Sequence, residues 1–151
     1  MRPQLPTLRS PLTVMQLASE MGRLYDIEKL TFFRACECYE ELEAAGKLDA
    51  DALIFVNSIA SVSLSNEDWA SYCEAHSAIL PKLVVEITEE EEMNERELER
   101  KRNVPGSSGV FALDDYGSGY SNGNSLLTIA PKYVKVDIAI IRGIDTDADK
   151  Q

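Results

Sequence analysis

A chain of 151 residues with 44% apolar composition can build one domain with a core of ordinary size, which excludes a disordered protein. Its net charge of −11, from 26 acidic against 15 basic side chains, argues against DNA or RNA binding, which depends on Lys and Arg neutralising phosphates. No apolar run approaches the roughly 20 residues that span a bilayer, and no charged start precedes an apolar segment, so no direct membrane insertion and a cytoplasmic location are expected. A parent protein could still be membrane-anchored outside this segment. Cys36, Cys38 and Cys73 form no C-x-x-C pair and read as small buried thiols rather than as a disulfide framework or a zinc site.

Pro3, Pro6 and Pro11 mark a loop leading to a helix expected near Thr13, where Thr13 and Gln16 have capping-box spacing; Gly22 breaks it. A second helix is predicted from about Tyr25 to Ala45, with Ile27, Leu30, Cys38 and Leu42 on one face and Gly46 as its stop. Leu53-Ile54-Phe55-Val56 is a strand ending at Asn57, and Ser65-Asn66-Glu67-Asp68 starts a helix whose apolar side is Trp69, Tyr72 and Ile79. Leu83-Val84-Val85 is a strand running into Glu86. The charge run from Glu89 to Arg102, acids early and bases late, predicts one solvated helix aligned with its own dipole. The turn clusters Pro105 to Gly109 and Asn122 to Asn124 flank a strand ending in Asp114-Asp115, and Tyr133 to Asp137 is a fourth strand. His76 and Cys73 share helical spacing, but two ligands do not make a site, and His76 reads as a helix-surface residue.

Short β-branched runs separated by helix-like segments indicate parallel strands of an α/β protein, in which ligand chemistry collects at the carboxyl ends of the strands. Asn57, Glu86, Asp114 and Asp115 would then converge on one rim. Glu86 shares the inward parity of Val84. Asp114 and Asp115 can reach one site only if the chain bends there, a bend that Gly117 and Gly119 permit. This all-oxygen set suits Mg²⁺ or Mn²⁺, and two adjacent aspartates could serve two ions. Lys135, between Val134 and Val136, needs an anionic neighbour, which those carboxylates supply. Asp137 reads as structural. A (β/α)₈ barrel needs about 250 residues, so four strand runs are expected to make part of one.

The segments Val84-Val85-Glu86-Ile87-Thr88-Glu89, Leu113-Asp114-Asp115-Tyr116-Gly117-Ser118-Gly119-Tyr120-Ser121 and Lys135-Val136-Asp137 resemble, in letters, order and spacing, the EAL-domain cyclic di-GMP phosphodiesterases. The resemblance covers nearly the whole chain and implies a partial TIM-like (β/α)₈ barrel with about four βα units. Residues 1–151 would be the central part of one EAL domain, without the strand carrying the Glu-Ala-Leu glutamate and without the last strands. It implies two ions, Mg²⁺ or Mn²⁺, held by Asn57, Glu86, Asp114 and Asp115. Lys135 would orient the attacking water and stabilise the charged phosphate, and Glu89 would support the loop after Asp115. On residues alone, Glu89 reads equally well as the first exposed acid of the following helix.

The function so implied is hydrolysis of cyclic di-GMP to linear pGpG by the parent domain, with weak or no hydrolysis by this chain alone, because interdependent site residues fail together. An open barrel would also leave edges uncovered, so self-association is expected. Two other readings stand beside this one. The first is a non-hydrolysing cyclic di-GMP receptor or protein-interaction module of the same fold; the second is a Mg²⁺-dependent barrel enzyme acting on another phosphorylated substrate.

Overall fold

The computed structural model describes residues 10–88, 94–118 and 124–146. Helices α1 (Pro11–Glu20) and α2 (Leu24–Ala44) precede a repeating pattern of strands and helices: β1 (Ile54–Asn57), α3 (Asn66–Ala75), β2 (Leu83–Thr88), α4 (Glu95–Arg102), β3 (Val110–Tyr116), α5 (Asn124–Ile129), β4 (Tyr133–Val136) and α6 (Ile138–Ile141). The strands form one parallel sheet in the order β1-β2-β3-β4. Sequential parallel neighbours joined through helices are the building pattern of a βα barrel, and the fold is α/β, part of such a barrel. No helix among the described residues is long and apolar enough to cross a membrane.

Curvature shows in a pair of rings. Phe55 on β1 and Tyr133 on β4 belong to strands separated by two others, about 14 Å across a flat sheet at about 4.8 Å per strand. Their ring centroids are nevertheless 5.4 Å apart, so the sheet bends until its flanks face each other. The convex side carries the main core. Ile54, Val56, Leu83, Val85, Ile87, Phe111 and Leu113 pack there against Phe32, Cys36 and Tyr39 of α2, Trp69 and Tyr72 of α3, and Leu98 of α4. Phe32 meets the edges of Trp69 and Tyr72 at 5.3 and 5.7 Å.

Local signals explain most element ends. Ser65 caps α3 by accepting a hydrogen bond from the Asp68 N–H at 3.1 Å, and Asp137 caps α6 by accepting from the Ala139 N–H at 2.6 Å. Gly22 and Gly46 end α1 and α2 in the left-handed region, which only glycine enters without strain.

Four expectations change. Helix α1 starts at Pro11 after Ser10, because proline is favoured in the first turn; the Thr13 capping box does not form. Helix α2 buries Glu28, Phe32, Cys36 and Tyr39, while Leu30, Cys38 and Leu42 are exposed. The bulky aromatics, absent from the predicted apolar face, decide which side turns inward. His76 is buried rather than on the surface, its Nδ1 3.0 Å from Glu40 Oε1 and its ring against Phe33 and Tyr72. Helix α4 is not wholly solvated: Leu98 and Lys101 are buried.

Candidate active site on the concave rim

Register decides which side chains share the concave face. Residues paired across parallel strands point the same way, and the pairs Asn57 with Glu86, Glu86 with Ala112, and Ala112 with Tyr133 run across all four strands. Phe55 and Tyr133 meet on the concave face, so Asn57 and Glu86 belong to it as well. Leu113 pairs with Val134, which puts Asp114 and Lys135 one step further along on that same face. Of the four acids and amides expected on one rim, Asn57, Glu86 and Asp114 share this face and Lys135 joins them, whereas the register does not bring Asp115 onto it.

Lys135 is the hub. Its ammonium contacts Glu86 Oε1, lies 3.6 Å from Asp114 Oδ2 and sits 5.8 Å from the centroid of the Phe55 ring. Glu86 is 5% exposed whereas the Lys135 side chain is 46% exposed, so a buried carboxylate is met by a cation that still reaches solvent. The Lys135 ammonium therefore satisfies the buried Glu86 Oε1. Partial burial pulls the Lys135 pKa down, yet the contacts with Glu86 and Asp114 outweigh it and hold the ammonium above the ordinary lysine range.

The bend that two adjacent aspartates require is carried by Asp115 itself. Its φ is +56°, in the left-handed region that Asp tolerates better than most residues. The register of β3 against β4 shifts between Leu113 and Tyr116, as at a bulge, and re-aims the chain beyond Asp114. Asp114 Oδ1 accepts the Asp115 N–H at 3.1 Å, and Gly117, with φ +89°, completes the turn. Asp115 is exposed at this bend. Gly119 and Glu89 lie outside the described residues. Among the described residues, no three Asp, Glu, His or Cys side chains gather closely enough to hold an ion.

One set of residues escaped the sequence reading. Glu28, Ser58 and Lys101 are 1%, 5% and 1% exposed and bond to one another immediately after Asn57. A signal existed: Glu28 falls at helical spacing from Phe32, Cys36 and Tyr39, and Lys101 is three positions after Leu98. Charged residues at core positions point to mutual pairing, because isolated buried charges are too costly.

Comparison with known proteins bears on the fold and the family. The chain is 35% identical over 145 residues to the probable cyclic di-GMP phosphodiesterase PdeG of Escherichia coli K12, an alignment covering 93% of this chain and 28% of that protein. The PaMucR phosphodiesterase in complex with c-di-GMP superposes with a TM-score of 0.73 at 24% identity, over 99% of this chain and 62% of that one. The Xanthomonas citri FimX EAL domain in complex with c-diGMP superposes with a TM-score of 0.68 at 17% identity, over 99% of this chain and 60% of that one. The chain thus spans less than two thirds of the length of these relatives. The sequence profile of the EAL domain matches residues 1–151, and the chain belongs to the EAL domain family.

Proposed function

We propose that this chain is the part of a cyclic di-GMP phosphodiesterase domain that holds divalent cations and the scissile phosphate, the domain producing linear pGpG. The observation that carries the reading is the meeting of Glu86, Asp114 and Lys135, from three different strands, on the concave rim. Three convergent strand-end charges of both signs suit an anionic diester better than they suit a structural core.

Asn57, Glu86, Asp114 and Asp115 would hold the ions. Their donors are all oxygen, so the set suits Mg²⁺ or Mn²⁺. Bound ions of this kind lower the pKa of water and offset phosphate charge, which supplies a nucleophile without a histidine. Lys135 would contribute a positive charge beside the carboxylates, donating to a phosphate oxygen and orienting water. Asp115, exposed at the bend, presents its carboxylate beyond Asp114.

The family resemblance assigns further acids to strands outside these 151 residues, so the chain by itself is expected to hydrolyse cyclic di-GMP weakly or not at all. Bacterial second-messenger signalling in the cytoplasm is the matching context, and self-association through the β1 and β4 edges accompanies it. A non-hydrolysing receptor is the second reading, motivated by the pairing of Glu86 and Asp114 with Lys135 where, among the described residues, no third acid joins them.

The test is to incubate the chain and a longer domain with cyclic di-GMP and Mn²⁺, beside Asp114→Asn controls, and to follow pGpG by chromatography. Product from the longer domain alone, lost in its control, supports the reading. Binding without product from either protein identifies a receptor, and product from the 151-residue chain shows that its residues suffice.

A further inference from the structure

The backbone directly after Asn57 is held by a set of buried polar bonds. Glu28 Oε1 accepts from Ser58 Oγ at 2.6 Å and from Lys101 Nζ at 2.8 Å, and Glu28 Oε2 accepts from the Ile59 N–H at 2.9 Å. Lys101 Nζ also donates to Ser58 Oγ at 2.6 Å and to the Ile59 carbonyl at 2.5 Å. Among the described residues, the ammonium gives three bonds, the hydroxyl gives one and takes one, and both carboxylate oxygens accept. Opposite this set, the Ser58 N–H donates to the Glu86 carbonyl at 2.9 Å. The chain after Asn57 is therefore clamped between the trio and the residue that carries Glu86.

A buried ion pair is a poor way to gain stability, since its desolvation cost rivals its attraction and apolar replacements are often no worse. Directional bonds do something that apolar packing does not, which is to fix an angle. Ser58 and Ile59 receive those bonds from two helices, α2 and α4, that are far apart in sequence. The trio thereby ties both helices to the end of β1, one residue beyond Asn57.

We propose that Glu28, Ser58 and Lys101 are positioning residues that set the direction of Asn57 relative to Glu86 on the rim. The inference rests on the reading of Asn57 and Glu86 as cation-holding residues. It assigns no contact with substrate to the trio.

The test compares the unaltered chain with Ser58→Ala, with the paired replacement Glu28→Gln plus Lys101→Met, which removes both charges at similar volume, and with Leu98→Ala. The last is a destabilised control on α4 that leaves the trio intact. Three readouts are taken: thermal midpoint, Mn²⁺ affinity by calorimetric titration, and amide hydrogen exchange at Ser58 and Ile59 by NMR. Ser58→Ala keeps the trio's charges paired, so it serves if the paired replacement fails to fold.

The expected result is a Mn²⁺ affinity at least about 10-fold weaker in the trio variants, as for residues that support metal ligands. Exchange should rise at Ser58 and Ile59 without a matching rise at Val85 and Ala112, while Leu98→Ala keeps its Mn²⁺ affinity. Unchanged Mn²⁺ affinity in folded trio variants overturns the inference, as does an equal loss in Leu98→Ala. If the unaltered chain binds no Mn²⁺, the functional reading fails and exchange alone decides: a local rise at Ser58 and Ile59 upholds the positioning role, and no local rise overturns it.

Discussion

Lys135, on β4, reaches across β3 to pair with Glu86 on β2, so its ammonium is shared between two carboxylates. Replacing it separates charge balance from catalysis. In a complete domain, Lys135→Met should lower turnover of cyclic di-GMP by about 100-fold, the effect of removing one positioned electrostatic donor. Mn²⁺ affinity should stay the same or rise, because Glu86 and Asp114 lose a competing cation. Parallel losses of Mn²⁺ binding and turnover would contradict this division of roles, and chelation with EDTA should abolish turnover in both proteins.

The same pairing fixes a pH dependence. The folded-state pKa of Lys135 is raised, so its contribution to stability is fully present below the unfolded lysine value of about 10.4 and is lost as pH climbs through the folded value. The difference in urea midpoint between the native chain and Lys135→Met should therefore be constant from about pH 7 to 9 and shrink at higher pH. A difference that fades on acidification over that range would show that another group controls it.

Phe32 is fully buried and meets two aromatic edges. Truncation leaves a cavity where α2 and α3 cover the sheet. Phe32→Ala should cost about 3–5 kcal/mol in urea unfolding, whereas Leu30→Ala, at an exposed position of the same helix, should cost well under half of that. Near-equal costs would place the α2 core face where the periodicity reading had put it.

Gly117 and Gly22 both have positive φ, but only Gly117 lacks room for a side chain. A Cβ there would lie 1.9 Å from Ile140 Cδ1, whereas one at Gly22 meets nothing within 4 Å. Both alanine variants should lose about 1–2 kcal/mol from left-handed strain. Gly117→Ala should in addition displace α6 and weaken Mn²⁺ binding through Asp115, visible as shifted amide resonances at Ile140 and Asp115. Identical behaviour of the two variants would show that Ile140 yields without consequence.

The sequence by itself determined the strand runs, their parallel α/β arrangement and the acids at their ends, because β-branched runs, turn glycines and strand parity are local properties written into consecutive residues. Tertiary structure alone decided which face of α2 turns inward, because that choice weighs Phe32 and Tyr39 against competing aliphatic stripes across the whole interface. It also decided that Lys101, one base within a charge run, is buried: its partners Glu28 and Ser58 lie 73 and 43 residues away, and no local pattern encodes a pairing made through space. The bend at Asp115 was legible as a need and not as a location, since a left-handed aspartate is selected by register against β4 rather than by its neighbours in sequence.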